Sequence, residues 1–157
     1  MILYFSGTGN SEYLAKKLGK TLDDETVNLF FSIKEWKTQT FTSERAFVLV
    51  SPTYSWRVPR FLTEYLLKCN FKGNRDFYLV INYGDSSGNA YKYIREDVEK
   101  LGLNFRGLYG LKMPENYLML FDLDGEEVNK KIIEKAMRHI EEIARYIINN
   151  KDFPKDK

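Results

Sequence analysis

Uncharged runs of four or five residues alternate along this chain with segments whose apolar residues recur every three or four positions. That alternation predicts a parallel sheet covered by helices on both faces. Residues 2–5 read as a short buried strand, followed by a Gly-rich turn and a helix carrying Leu14, Leu18 and Leu22 at four-residue spacing. Residues 26–31 predict a weaker second strand. Residues 46–50, Ala-Phe-Val-Leu-Val, are the clearest strand and end at Ser51-Pro52. Pro59 then opens a helix through Phe61, Leu62, Tyr65 and Leu66, as a first-turn proline can.

Residues 77–81, Phe-Tyr-Leu-Val-Ile, give a fourth strand, and residues 82–89 are rich in turn formers. A helix over 90–101 is closed by Gly102, and a fifth strand lies within 104–112, interrupted by two glycines. After a loop through 113–117, a last helix over 126–149 aligns Val128, Ile132, Ala136, Ile140, Ile143 and Ile147 on one stripe, and residues 151–157 form a polar tail expected to fray. Five strands with intervening helices predict an α/β fold, an open doubly wound sheet with right-handed crossovers. Ligands on such sheets bind at the carboxyl ends of the strands, where strand order reverses. The loops after strands one, three and four are thereby singled out.

With 157 residues the chain is the size of one domain, 1–157, able to enclose a real core. No apolar run approaches the roughly 18–20 residues needed to span a bilayer, and no signal peptide precedes the first motif, so a cytoplasmic protein without membrane insertion is expected. Cys69 is the only cysteine, which excludes an internal disulfide and a cysteine-ligated iron–sulfur cluster within this chain. The net charge of +2, carried by scattered Lys and Arg, argues against a nucleic-acid binder.

The first loop, Ser6-Gly7-Thr8-Gly9-Asn10-Ser11, joins a buried strand to a helix, so its amides and hydroxyls can converge on an anion at the helix N-terminus. It is not a Walker loop, because Glu12 and Tyr13 stand where Lys and Ser/Thr are needed. Nor is it a dinucleotide fingerprint, since Glu12 takes the place of the third glycine. A cradle of neutral donors suits a terminal monophosphate. In the second loop, Ser51, Pro52, Thr53, Tyr54 and Trp56 offer two large aromatics between two prolines, with Trp56 the first choice to stack on a flat ring and Tyr54 the second. In the third, Asn82, Tyr83, Gly84, Asp85, Gly88 and Asn89 supply groups able to read a hydrogen-bonding ring edge.

These residues resemble the flavodoxin family. Residues 4–11, Tyr-Phe-Ser-Gly-Thr-Gly-Asn-Ser, are similar to the flavodoxin phosphate motif T/S-x-T-G-N-T/S. The Tyr-Ser-Trp-Arg-x-Pro-Arg run after strand three and Gly88-Asn89-Ala90 after strand four resemble flavodoxin-like domains that some anaerobes fuse to a ferredoxin module. The resemblance implies a three-layer, five-stranded parallel sheet in the order 2-1-3-4-5. It also implies FMN as cofactor, with its phosphate on Ser6, Thr8, Gly9, Asn10 and Ser11. Gly84, Asp85 and Gly88 match the family's G-D-x-x-G, whereas Asn89 replaces an aromatic, leaving Tyr83 or Tyr91 to cover the second ring face.

The expected function is electron transfer between redox partner proteins, of ferredoxin type or a reductase, by a monomer or weak dimer. No catalytic residue and no metal are required. The alternatives are an NAD(P)H-dependent FMN or quinone reductase of similar fold and a non-redox flavin-binding adaptor. Two features depart from flavodoxins: the chain is slightly basic, with Arg57, Arg60, Lys92 and Arg95 near the ring loops, and residues 53–56 contain no glycine. His139 on the last helix is expected to be solvated. Asp122 and Asp124 read as a turn before that helix, since the glycine comes too early for a calcium loop.

Overall fold

The computed structural model describes residues 1–84, 90–114 and 125–155. Among these described residues, seven strands and five helices follow in the order β1 (Ile2–Tyr4), α1 (Asn10–Leu22), β2 (Thr26–Asn28), α2 (Phe30–Lys34), β3 (Thr40–Ser43), β4 (Phe47–Pro52), α3 (Arg60–Leu66), β5 (Asn70–Gly73), β6 (Asp76–Tyr83), α4 (Ala90–Lys100), β7 (Asn104–Lys112) and α5 (Glu126–Ile148). Five strands form one sheet in the order β2-β1-β4-β6-β7, every neighbouring pair parallel. Numbered among themselves, these five lie in the order 2-1-3-4-5.

The two-residue period of the strands divides their side chains between two cores. Leu3, Phe47, Leu49, Phe77, Leu79 and Ile81 face Leu62, Tyr65 and Leu66 of α3 and Ile94 and Val98 of α4. On the other side Ile2, Tyr4, Val48, Val50, Tyr78 and Val80 meet Leu14 and Leu18 of α1 and Ala136, Ile140 and Ile143 of α5. A sheet buried on both faces explains why its strands read as continuous apolar runs rather than alternating ones.

Several expectations need correction. The second strand stops at Asn28, whose side-chain Oδ1 accepts the Phe30 N–H at 2.9 Å and so turns the chain into the short helix α2. A second, two-stranded parallel sheet joins β3 to β5 and was not foreseen. Its Phe71, with Phe41 against it, packs on Phe47 and Phe77, at the starts of β4 and β6, the end of the sheet away from the predicted loops. The glycines of the last strand do not break it. Gly107, at φ +116°, lies in a bulge where β7 carries one more residue than β6 between Phe77 and Leu79.

Nor is the described part of the tail frayed. Phe153 is 4% exposed, its ring centroid lies 4.9 Å from Tyr78 and 5.5 Å from Tyr109, and its N–H donates to the Arg106 carbonyl at 2.8 Å. The apolar stripe of α5 is buried only from Ala136 onward, with Val128 exposed. His139 is half-buried rather than solvated: its Nδ1 lies 2.8 Å from the Tyr109 hydroxyl, which donates to Glu142 at 2.7 Å. Burial, then the Glu142 carboxylate, pushes the Tyr109 pKa well above the ordinary 10. None of the described helices is long and apolar enough to cross a membrane.

Candidate functional site

The carboxyl ends of β1, β4 and β6 bring the three predicted loops to one edge of the sheet, beside the point where strand order reverses between β1 and β4. Gly9, at φ +105°, is the residue preceding α1, and its N–H donates to Ser6 Oγ at 3.0 Å. Glycine is required there because a side chain rarely adopts that backbone angle. No side chain caps the helix. The first intrahelical bond is from the Tyr13 N–H to the Gly9 carbonyl, so the N–H groups of Asn10, Ser11 and Glu12 remain available to an incoming acceptor. Together with the dipole of a 13-residue helix they form a set of neutral donors that an anion could meet. The one carboxylate in the first turn, Glu12, is paired with Lys16 at 2.5 Å.

Not every hydroxyl in the motif faces this opening. Ser11 is 1% exposed, and its Oγ accepts from Asn82 Nδ2 at 2.5 Å. The same amide group reaches the Ser51 carbonyl at 3.2 Å, and the Asn82 carbonyl accepts the Thr53 N–H at 3.0 Å. Asn82, 6% exposed, thus ties all three loops together. A fourth segment joins them through Asn10 Nδ2, which donates to the Pro114 carbonyl at 3.0 Å. Sequence had assigned Asn82 to a ligand edge, but its side chain is turned inward as a strut.

In the second loop, Tyr54 and Arg57 exchange two backbone hydrogen bonds, of 2.9 and 3.2 Å, around Ser55 and Trp56 at φ +49° and +59°. This is a two-residue turn with both central residues left-handed, a geometry that Asn-Gly normally supplies. The turn displays Trp56, 61% exposed, and Tyr54, 45% exposed, at the site edge. The Tyr54 hydroxyl lies back over the first loop, 2.9 Å from where a Cβ on Gly7 would be. Thr53 Oγ1 is buried without a hydrogen-bond partner among the described residues. The left-handed pair predicts that replacing Ser55 by Asn together with Trp56 by Gly raises stability by about 1 kcal/mol, the relief of strain less the glycine's added chain entropy. Chemical denaturation measures this, and a destabilised double variant would show the turn to be unstrained.

Arg57 does not project alone into the site. Its guanidinium stacks 4.4 Å from the centroid of Tyr93 on α4. Arg95 pairs with Glu99 at 2.8 Å, so of the four cations near these loops Arg60 and Lys92 are left exposed and without an ion pair among the described residues. Tyr83 and Tyr91 both rest on β7, the first with its ring against Gly110 and the second edge-on to Phe105 at 5.3 Å. Gly84 ends the described part of the third loop. Asp85, Gly88 and Asn89, like the turn with Asp122 and Asp124, lie outside the described residues. Sequence reasoning missed an aromatic group beside the first loop, in which Phe5 stacks on Phe30 at 6.1 Å and meets Phe61 edge-on at 5.0 Å. The sequence places Phe61 in a helix and Phe30 in a strand, and no local pattern joins them.

No protein-family model matches the chain, and neither does any curated protein sequence. Solved structures do resemble it. A flavodoxin from the domain Archaea superposes with a TM-score of 0.52 at 19% identity, over 93% of this chain and 96% of the other. The two-electron reduced flavodoxin of Megasphaera elsdenii gives 0.51 at 18% identity, over 70% and 85%. A flavodoxin, WrbA-like protein from Agrobacterium tumefaciens gives 0.50 at 12% identity, over 96% and 97%. The architecture is that of an α/β protein with an open parallel sheet. More narrowly, the chain has the flavodoxin-like fold.

Proposed function

We propose that the chain binds one FMN across the loops after β1, β4 and β6 and carries electrons between redox partner proteins. The observation that carries this reading is the meeting, at the switch point of a flavodoxin-like sheet, of an uncapped helix N-terminus with the exposed rings of Tyr54 and Trp56. The residues present fit the group: an anion cradle without a cation suits a monophosphate ester, and Thr53 Oγ1 is a buried polar atom still lacking a partner among the described residues.

In this reading the amides of Asn10, Ser11 and Glu12 and the hydroxyls of Ser6 and Thr8 hold the phosphate. Trp56 covers the ring, and the backbone of residues 82–84 with Asp85, Gly88 and Asn89 meets its pyrimidine edge. When bound, the flavin supplies one- and two-electron chemistry. The chain binds it, orients it through the Asn82 strut and excludes water with aromatic surface, and no side-chain acid or base is needed. The protein then acts in the cytoplasm, as a monomer or weak dimer, on partners of ferredoxin or reductase type.

Titration with FMN and with riboflavin tests the site. FMN is expected to saturate at one per chain and to bind at least about tenfold more tightly, the value of charge-assisted hydrogen bonds to its phosphate. Equal affinities would remove the phosphate site. NADH or NADPH alone should leave the bound flavin oxidised, and rapid bleaching would put an NAD(P)H-dependent FMN or quinone reductase in the carrier's place.

A further inference from the structure

Tyr54 came out of the sequence as an aromatic face, but its hydroxyl is not at the ring end of the site. A Cβ built on Gly7 would lie 2.9 Å from that hydroxyl, so the oxygen rests directly over the backbone of the phosphate loop. Two backbone hydrogen bonds to Arg57 fix where Tyr54 leaves the chain. Gly7 has no positive φ, so glycine there is not demanded by its own backbone. What its missing side chain does is leave room for the Tyr54 oxygen.

Resting on the FMN reading above, we infer that Tyr54 is a phosphate-selecting residue, its hydroxyl donating to the FMN phosphate from its place over Gly7. Placed there, it supplies part of what a lysine supplies in cation-bearing phosphate loops, from a different loop 47 positions away in sequence. A tyrosine hydroxyl is protonated and able to donate at neutral pH, and burial raises the Tyr54 pKa further from it. Trp56 then stands as the ring platform, and discrimination between FMN and riboflavin is shared between α1 and Tyr54.

The experiment compares dissociation constants for FMN and riboflavin, by calorimetry, in the wild-type chain, Tyr54→Phe, Gly7→Ala and the double variant, each checked for folding by circular dichroism. Tyr54→Phe keeps the ring and should weaken FMN about tenfold while leaving riboflavin within about twofold. Gly7→Ala displaces the hydroxyl, so it should weaken FMN similarly in the wild-type background and add little to Tyr54→Phe. Equal losses for both flavins in Tyr54→Phe would place Tyr54 on the ring, and no loss for either would take it out of the site. Either result overturns the inference, as would multiplying losses in the double variant. A wild-type chain that binds neither flavin would instead defeat the FMN reading itself, and this inference with it.

Discussion

Replacing Phe153 by alanine is expected to destabilise the protein by about 3–5 kcal/mol, the usual loss for a large aromatic removed from a packed core. For a chain of this size that corresponds to a fall in Tm of roughly 10 °C. The residue lies beyond the last helix, where composition alone predicts fraying, yet its ring is packed among Tyr78, Tyr109 and Tyr146 at centroid distances of 4.9, 5.5 and 5.9 Å. The segment is held by backbone as well. The Phe153 N–H closes on the Arg106 carbonyl, the Arg106 guanidinium reaches the Asn150 carbonyl, and the Tyr78 hydroxyl donates to the Lys151 carbonyl at 3.1 Å. Gly107 makes the docking possible, since a Cβ there would meet the Phe153 Cβ at 2.9 Å. Thermal and urea unfolding of Phe153→Ala measure the effect. A loss below about 1 kcal/mol would mean that the segment contributes little to the fold.

That packing illustrates where the sequence stops being informative. The strands of the main sheet are legible because both faces are covered, so a run such as residues 46–50 must be apolar throughout. The small sheet is not legible: Thr40–Ser43 and Asn70–Gly73 each contribute one buried phenylalanine and otherwise polar residues, a pattern that reads as loop. The tail fails for a related reason, because one aromatic among lysines and aspartates carries no period. Apart from Tyr146 at the end of α5, the rings around it come from Tyr109 and Tyr78, 44 and 75 positions earlier.

The site divides in the same way. Gly9, the uncapped start of α1 and the display of Tyr54 and Trp56 follow from local chemistry, and the loops were recognisable by their residue types. What each side chain does there depends on which loops meet. Ser11 looks like any other hydroxyl in the motif until Asn82 arrives from 71 residues away. Arg57 looks like a cation beside the ring until Tyr93 is found beneath it. The left-handed turn at Ser55 and Trp56 is illegible because the sequence there lacks the Asn or Gly that normally announces it.

Asn82→Leu is expected to be the most damaging single change within the site. The side chain is buried, has the same branching and heavy-atom count as leucine, and donates through one nitrogen to Ser11 Oγ and to the Ser51 carbonyl. Leucine fills the space and leaves both acceptors without that donor. At about 1–3 kcal/mol for each buried group deprived of its partner, a loss of about 2–4 kcal/mol follows, with the Ser51 carbonyl accounting for most because the Ser11 hydroxyl, unlike a carbonyl, keeps an O–H of its own to donate. Ser11→Ala removes only one of the two acceptors and should cost about 1 kcal/mol, and in the double variant the two losses should fall short of their sum by at least about 0.5 kcal/mol. On the proposed FMN reading, the change also loosens the first loop from the second, so FMN and riboflavin should weaken together. This contrasts with Tyr54→Phe, where only FMN should suffer. Urea unfolding and flavin titration of the folded variant check both halves. Additive losses would show that Ser11 and Asn82 act independently, and a folded Asn82→Leu protein with undiminished flavin affinity would show that the loops hold their places without the strut.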